Sequence, residues 1–251
     1  MFYFCFIGKI NALFRGKFFK FLTETFNIVK KLLVYQNNTA FKTNPRYSEF
    51  SIEKIGLVAF KDDTTEIKYT GSIDRIDEWG EGKIVLDYKT GRVSGDFNEI
   101  YYGKKIQIYI YMKALLEDGT SIPAGVFYVP ISAKYEKDSS KQDEETDEAL
   151  TKGIFLGYYA KDQTEGVFDP EFVKKKSGGV STQTMHNMIE YAHEVAQNAL
   201  GEIMSGYIEK KPDDSGCKYC PFSDICSVYS QKKSRYTKGA TVKLFKDESE
   251  K

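Results

Sequence analysis

Asp87 and Lys89 stand two residues apart just after Ile84-Val85-Leu86, an uninterrupted apolar run, with Gly91 close behind. On a strand, residues two apart point to the same face, so a carboxylate and an ammonium would share one pocket. An Asp-x-Lys pair taken alone reads as an exposed surface pair. Its position where a buried strand emerges argues for chemistry instead, because charges held at such a point usually serve function. Asp74 closes the preceding stretch, Glu66-Ile-Lys-Tyr-Thr-Gly-Ser-Ile-Asp74, and would bring a second carboxylate beside Asp87 across a turn. Two carboxylates together attract a hard divalent cation. Mg2+ takes one or two of them and leaves its other positions to water and phosphate oxygens, which suits phosphodiester hydrolysis. Lys89 would then orient or help deprotonate the attacking water, or steady the charge developing on phosphorus.

The elements that must carry these groups follow from periodicity. Glu66 to Asp74 and Lys83-Ile-Val-Leu-Asp-Tyr-Lys89 flank Trp79-Gly-Glu-Gly82, whose glycines supply turn conformations, so a hairpin is expected there. The sheet is expected to begin near Phe50, after the breakers Asn37-Asn38 and Asn44-Pro45. Residues 10–36 carry Leu13, Phe14, Phe18, Phe21, Leu22, Phe26, Val29 and Leu33 near a helical period. Lys105 to Glu117 is rich in β-branched and aromatic residues, but its length and its Ala-Leu-Leu-Glu end favour helix. Gly125-Val-Phe-Tyr-Val-Pro130 reads as a strand closing on proline. Residues 181–208 read as a long amphipathic helix capped by Ser181 or Thr182. The charged stretch 134–148 reads as a solvated loop, and the polar end as a loosely held tail.

Composition narrows the class without naming a partner. The chain has 251 residues, 41% hydrophobic and 29% charged, which fits a globular protein with one main core. Lys plus Arg and Asp plus Glu both number 36, so any surface for a polyanion must be a local patch. The apolar opening Met1-Phe-Tyr-Phe-Cys-Phe-Ile7 is broken by Gly8 and Lys9, too early for a membrane span. Its positive charges follow the apolar run instead of preceding it, unlike a secretory signal, and a cytoplasmic protein is expected. His186 and His193 on the late helix are read as structural or exposed.

Gly71-Ser-Ile-Asp-Arg-Ile-Asp77 followed by Val85-Leu-Asp-Tyr-Lys-Thr-Gly91 resembles the PD-(D/E)XK nuclease superfamily in its RecB-like branch. The resemblance implies an α/β core, a mixed central sheet flanked by helices. It also implies that Asp74 and Asp87 are metal-binding carboxylates, Lys89 the catalytic lysine and the Tyr88 carbonyl a further ligand. Gln107-Ile-Tyr-Ile-Tyr111 matches that branch's Gln-x-x-x-Tyr motif, an i, i+4 pair that would reach the DNA backbone or the lysine. Tyr111 taken alone fits core packing equally well. The superfamily also carries an acidic residue or histidine upstream of the first aspartate; Glu49 is the candidate, since no histidine precedes Asp74.

Cys217, Cys220 and Cys226 have the spacing C-x2-C-x5-C, which reads as metal ligands in a chain with no secretory signal. Three thiolates need a fourth ligand for either zinc or a four-iron cluster. This end of the chain, from about residue 50 to 229, resembles the AddB family of bacterial helicase–nucleases that process double-strand breaks. That resemblance favours a [4Fe–4S] cluster over zinc, makes Cys5 the candidate fourth ligand, and implies DNA ends and an AddA-type helicase–nuclease as partners. The organisation expected is a helical segment over 1–48, left from a larger upstream region, a nuclease domain over 49–230 with its tail stapled by the cluster, and a polar tail over 231–251. The activity expected is that of a magnesium-dependent deoxyribonuclease, read as an exonuclease. The competing readings are a non-catalytic DNA-binding or scaffolding module and a zinc-binding structural domain.

Overall fold

The computed structural model describes residues 44–60, 63–89, 93, 97–130, 155–164, 173, 177–209, 217, 220–226 and 245, with the backbone alone for 44–49, 53–60 and 63–69. The helix expected over 10–36, the loop over 134–148 and Cys5 lie outside the described residues.

Six strands form one sheet in chain order: β1 (Asn44–Phe60), β2 (Asp63–Trp79), β3 (Gly82–Lys89), β4 (Ile122–Pro130), β5 (Leu156–Ala160) and β6 (Gly178–Val180). Neighbours pair antiparallel except β3 with β4 and β5 with β6, which are parallel. The sheet is therefore mixed, as expected. The β2–β3 hairpin turns through Gly80, whose φ of 57° favours glycine. Gly82 serves a different need: a Cβ there would stand 2.8 Å from the Ala124 Cβ on the neighbouring strand. β1 starts at Asn44, ahead of Phe50. Pro45 is tolerated because β1 is an edge strand, and the register shifts between Pro45 and Tyr47.

The parallel step from β3 to β4 needs a crossover, and this contains α1 (Phe97–Tyr101) and α2 (Gln107–Leu116). α2 is a helix despite its β-favouring residues because Ile108, Tyr109, Tyr111, Met112 and Ala114 bury one face against the sheet; packing overrides propensity. α3 (Thr182–Met204) is capped by Ser181, whose Oγ accepts the Thr184 N–H at 3.1 Å. Its Met185, Met188, Ile189 and Ala192 follow a helical stripe into the same core.

Strand alternation separates two apolar layers. Val85, Val126 and Tyr128 pack with α2 and α3, whereas Ile84, Leu86, Phe127 and Val129 pack with Phe155 and Val173 on the other face. β3 is thus buried on both faces, where each fully buried Ile, Val or Leu contributes roughly 1.5–3 kcal/mol. That anchors the strand from which Asp87 and Lys89 emerge. The tail also contributes: Phe245 is buried against Phe97 and Tyr191, and its carbonyl accepts the Asn187 side-chain N–H at 2.8 Å. No helix among the described residues is long and apolar enough to cross a membrane.

Candidate active site at the end of strand β3

Asp74 lies within β2, and β2 continues to Trp79, but the β2–β3 ladder runs only from Trp79↔Gly82 to Arg75↔Leu86. One step beyond its last pair, the Asp74 carboxylate replaces the missing strand partner: its Oδ2 accepts the Tyr88 backbone N–H at 2.7 Å. This fixes Asp74 beside the strand segment that carries Asp87. It also answers what satisfies the Tyr88 donor where the ladder ends.

Asp87 is 2% exposed. Lys89 Nζ stands 2.5 Å from its Oδ2. Lys89 is the charge partner of that oxygen, and no other donor among the described residues reaches it. Burial pushes the Asp87 pKa up from the ordinary carboxylate value. Lys89 opposes that rise, the Asp74 charge adds to it, and Lys105 acts weakly against it. A buried, under-satisfied carboxylate oxygen beside a second carboxylate is a hard-oxygen donor set of the kind a divalent cation takes.

The ammonium of Lys89 also donates to Gln107 Oε1 at 3.0 Å, and Gln107 Nε2 donates to the Tyr111 hydroxyl at 2.7 Å. An ammonium has donors only, so this chain fixes which end of the Gln107 amide faces the lysine. Gln107 and Tyr111 are one turn apart on α2 and therefore neighbours on its surface. Of the two directions open to the pair, it reaches the lysine. Tyr111 also packs in the core, 8% exposed, so both readings of that side chain hold together. Gly71 makes room for it: a Cβ at position 71 would stand 2.8 Å from Tyr111 Cε1.

The structure brings together Asp74, Asp87, Lys89, Gln107, Tyr111 and the backbone of Tyr88. Glu49 falls between Ser48, paired with Arg75, and Phe50, paired with Ile73, so its backbone lies across from Asp74; its side chain lies outside the described residues. Two groups escaped the sequence reading. Tyr128 on β4 is the register partner of Asp87, and its ring centroid lies 5.6 Å from Lys89 Nζ. Asp77 is fully buried and accepts both Nε and Nη2 of Arg75, at 2.6 and 2.9 Å, while Arg75 Nη1 reaches the Tyr88 hydroxyl at 3.5 Å. The only available signal for this fork was an Arg and an Asp two apart on a strand.

Cys217, Cys220 and Cys226 lie close together in the chain after α3. All three are partly buried; the Cys220 N–H donates to the Cys217 carbonyl and the Cys226 N–H to the Phe222 carbonyl. Among the described residues no three His, Cys, Asp or Glu side chains group as metal ligands, and Cys5, the fourth ligand expected, lies outside them.

The chain is 29% identical over 203 residues to a subunit of the ATP-dependent helicase/deoxyribonuclease of Clostridioides difficile (strain 630), an alignment spanning 66% of this chain and 17% of that protein. It is 24% identical over 256 residues to the like-named protein of Clostridium kluyveri (strain NBRC 12016), spanning 87% of this chain and 22% of that one. The chain thus spans about a fifth of the length of these relatives. Among solved structures, SSO0001 is 16% identical with a TM-score of 0.29, covering 72% of this chain and 59% of that one, too loose a likeness to carry an argument. The model of the PD-(D/E)XK nuclease superfamily matches residues 17–227, and the chain belongs to that superfamily.

Proposed function

We propose that this chain hydrolyses DNA phosphodiester bonds in a magnesium-dependent reaction at the end of β3. The observation that carries the reading is the buried Asp87 carboxylate, whose Oδ2 has the Lys89 ammonium as its one partner among the described residues and the Asp74 carboxylate close by. Asp74 and Asp87, with the Tyr88 carbonyl, would hold Mg2+, which when bound supplies positive charge to the scissile phosphate and acidity to water. Asp74 keeps its place through the Tyr88 N–H. Lys89 presents an ammonium whose direction is set by Asp87 and Gln107, a preorganised donor for charge that develops on phosphorus. Gln107 and Tyr111 hold that ammonium in register with the carboxylates.

The names of the relatives, subunits of an ATP-dependent helicase/deoxyribonuclease, support deoxyribonuclease chemistry; with it we propose exonucleolytic processing of DNA ends in break repair and recombination, in the cytoplasm beside an AddA-type helicase–nuclease. The test is cleavage of end-labelled single-stranded and duplex DNA with magnesium or EDTA. The expected result is magnesium-dependent cutting that is abolished in Asp87→Ala and in Lys89→Ala, each still folded. Magnesium-dependent cutting retained by either folded variant overturns the mechanism.

A further inference from the structure

We infer that Tyr128 is a positioning residue for Lys89, its ring forming the third side of the cage that aims the ammonium; this rests on the role proposed above for Lys89. Two sides of that cage are polar, Asp87 Oδ2 at 2.5 Å and Gln107 Oε1 at 3.0 Å. Two contacts leave a flexible four-carbon side chain free to pivot about the line joining them. The ring of Tyr128, with its centroid 5.6 Å from Nζ, lies within cation–π range and supplies the constraint outside that line. The ring is itself buried. Tyr128 is 3% exposed and sits beside Asp87 in the β3–β4 register. It therefore ties two parts of the site together: the strand of Asp87 and the ammonium. Packing alone does not demand a π-face at this position, since leucine would fill an apolar site.

The test compares Tyr128→Phe, which keeps the ring, with Tyr128→Leu, which keeps only apolar bulk. Two readouts are used, magnesium-dependent cleavage of labelled single-stranded DNA and the Lys89 Hε resonances, assigned by their loss in Lys89→Arg. The expected result is a Phe variant within about twofold of wild type, and a Leu variant with kcat lowered about tenfold at unchanged KM, the scale of a desolvated cation–π contact. The Lys89 resonances are expected upfield in the wild type and the Phe variant, shifted by the ring current, and at the ordinary lysine position in the Leu variant. Should the Leu variant fail to fold, trifluorophenylalanine at 128 keeps the shape, weakens the quadrupole and is expected to lower kcat alike. Unshifted Lys89 resonances in the wild type overturn the inference, as does a folded Leu variant with wild-type kcat. Undiminished cutting by Lys89→Ala overturns the nuclease mechanism instead, and the resonances still decide the Tyr128 contact.

Discussion

Replacing Gly71 with alanine should break the lysine's support from a distance. The added Cβ would lie 2.8 Å from Tyr111 Cε1 and 3.3 Å from its hydroxyl, against a comfortable carbon–carbon separation of about 3.5–4.0 Å. Tyr111 must therefore retreat by about 1 Å, and it is packed in the core, so the overpacking costs about 1–3 kcal/mol. Without that contact the same substitution would stabilise the strand by about 0.5–1 kcal/mol, because glycine is a poor strand residue; the sign of the change decides the matter. The retreat also draws the hydroxyl from Gln107 Nε2, now 2.7 Å away, and so loosens Gln107 Oε1 on Lys89. A misplacement of about 1 Å at a catalytic group costs up to about a hundredfold, so kcat should fall about 10- to 100-fold with KM for DNA little changed. Thermal unfolding and single-turnover cleavage measure the two effects. A double-mutant cycle with Tyr111→Leu isolates the contact, since Gly71→Ala should cost much less once the ring is gone. A Gly71→Ala protein that is more stable than wild type and cuts as fast would refute the reasoning.

Asp77→Ala leaves the Arg75 guanidinium buried without its fork and should cost about 3–5 kcal/mol, measured by urea unfolding; a loss under about 1 kcal/mol would mean that Arg75 escapes to solvent. Phe245→Ala should cost about 3–5 kcal/mol and shift the Tyr191 environment, whereas an unchanged midpoint would place Phe245 outside the core. Asp87 titrates above its ordinary range because it is buried, so the stability linked to its protonated form is present below the unfolded pKa and lost as pH rises through the folded one. In EDTA, Asp87→Asn should therefore be at least as stable as wild type at pH 8, with the gap closing as pH falls toward 4. Magnesium should raise the wild-type Tm and leave the variant's unchanged; a variant less stable at pH 8 than at pH 4, relative to wild type, contradicts the burial account.

What was legible in the sequence is what local periodicity and capping control. The hairpin, the Ser181 cap and the Gln107-to-Tyr111 face each depend on residues within one or two turns of each other. The adjacency of Asp74 and Asp87 was legible for the same reason, since one tight turn sets their register; less so was its cause, a ladder that stops at Arg75 while β2 runs on. Tyr128 was hidden because Val126-Phe127-Tyr128-Val129 reads as a plain buried strand. Only the parallel register with β3, set by a crossover of some thirty residues, aligns it with Asp87. Phe245 was hidden as a lone aromatic in a polar stretch, and its burial depends on a gap between α1 and α3 that no local pattern describes. The parts that escaped prediction share one property: they lie where distant segments meet, and at the candidate site β3, β4 and the first turn of α2 meet around Lys89.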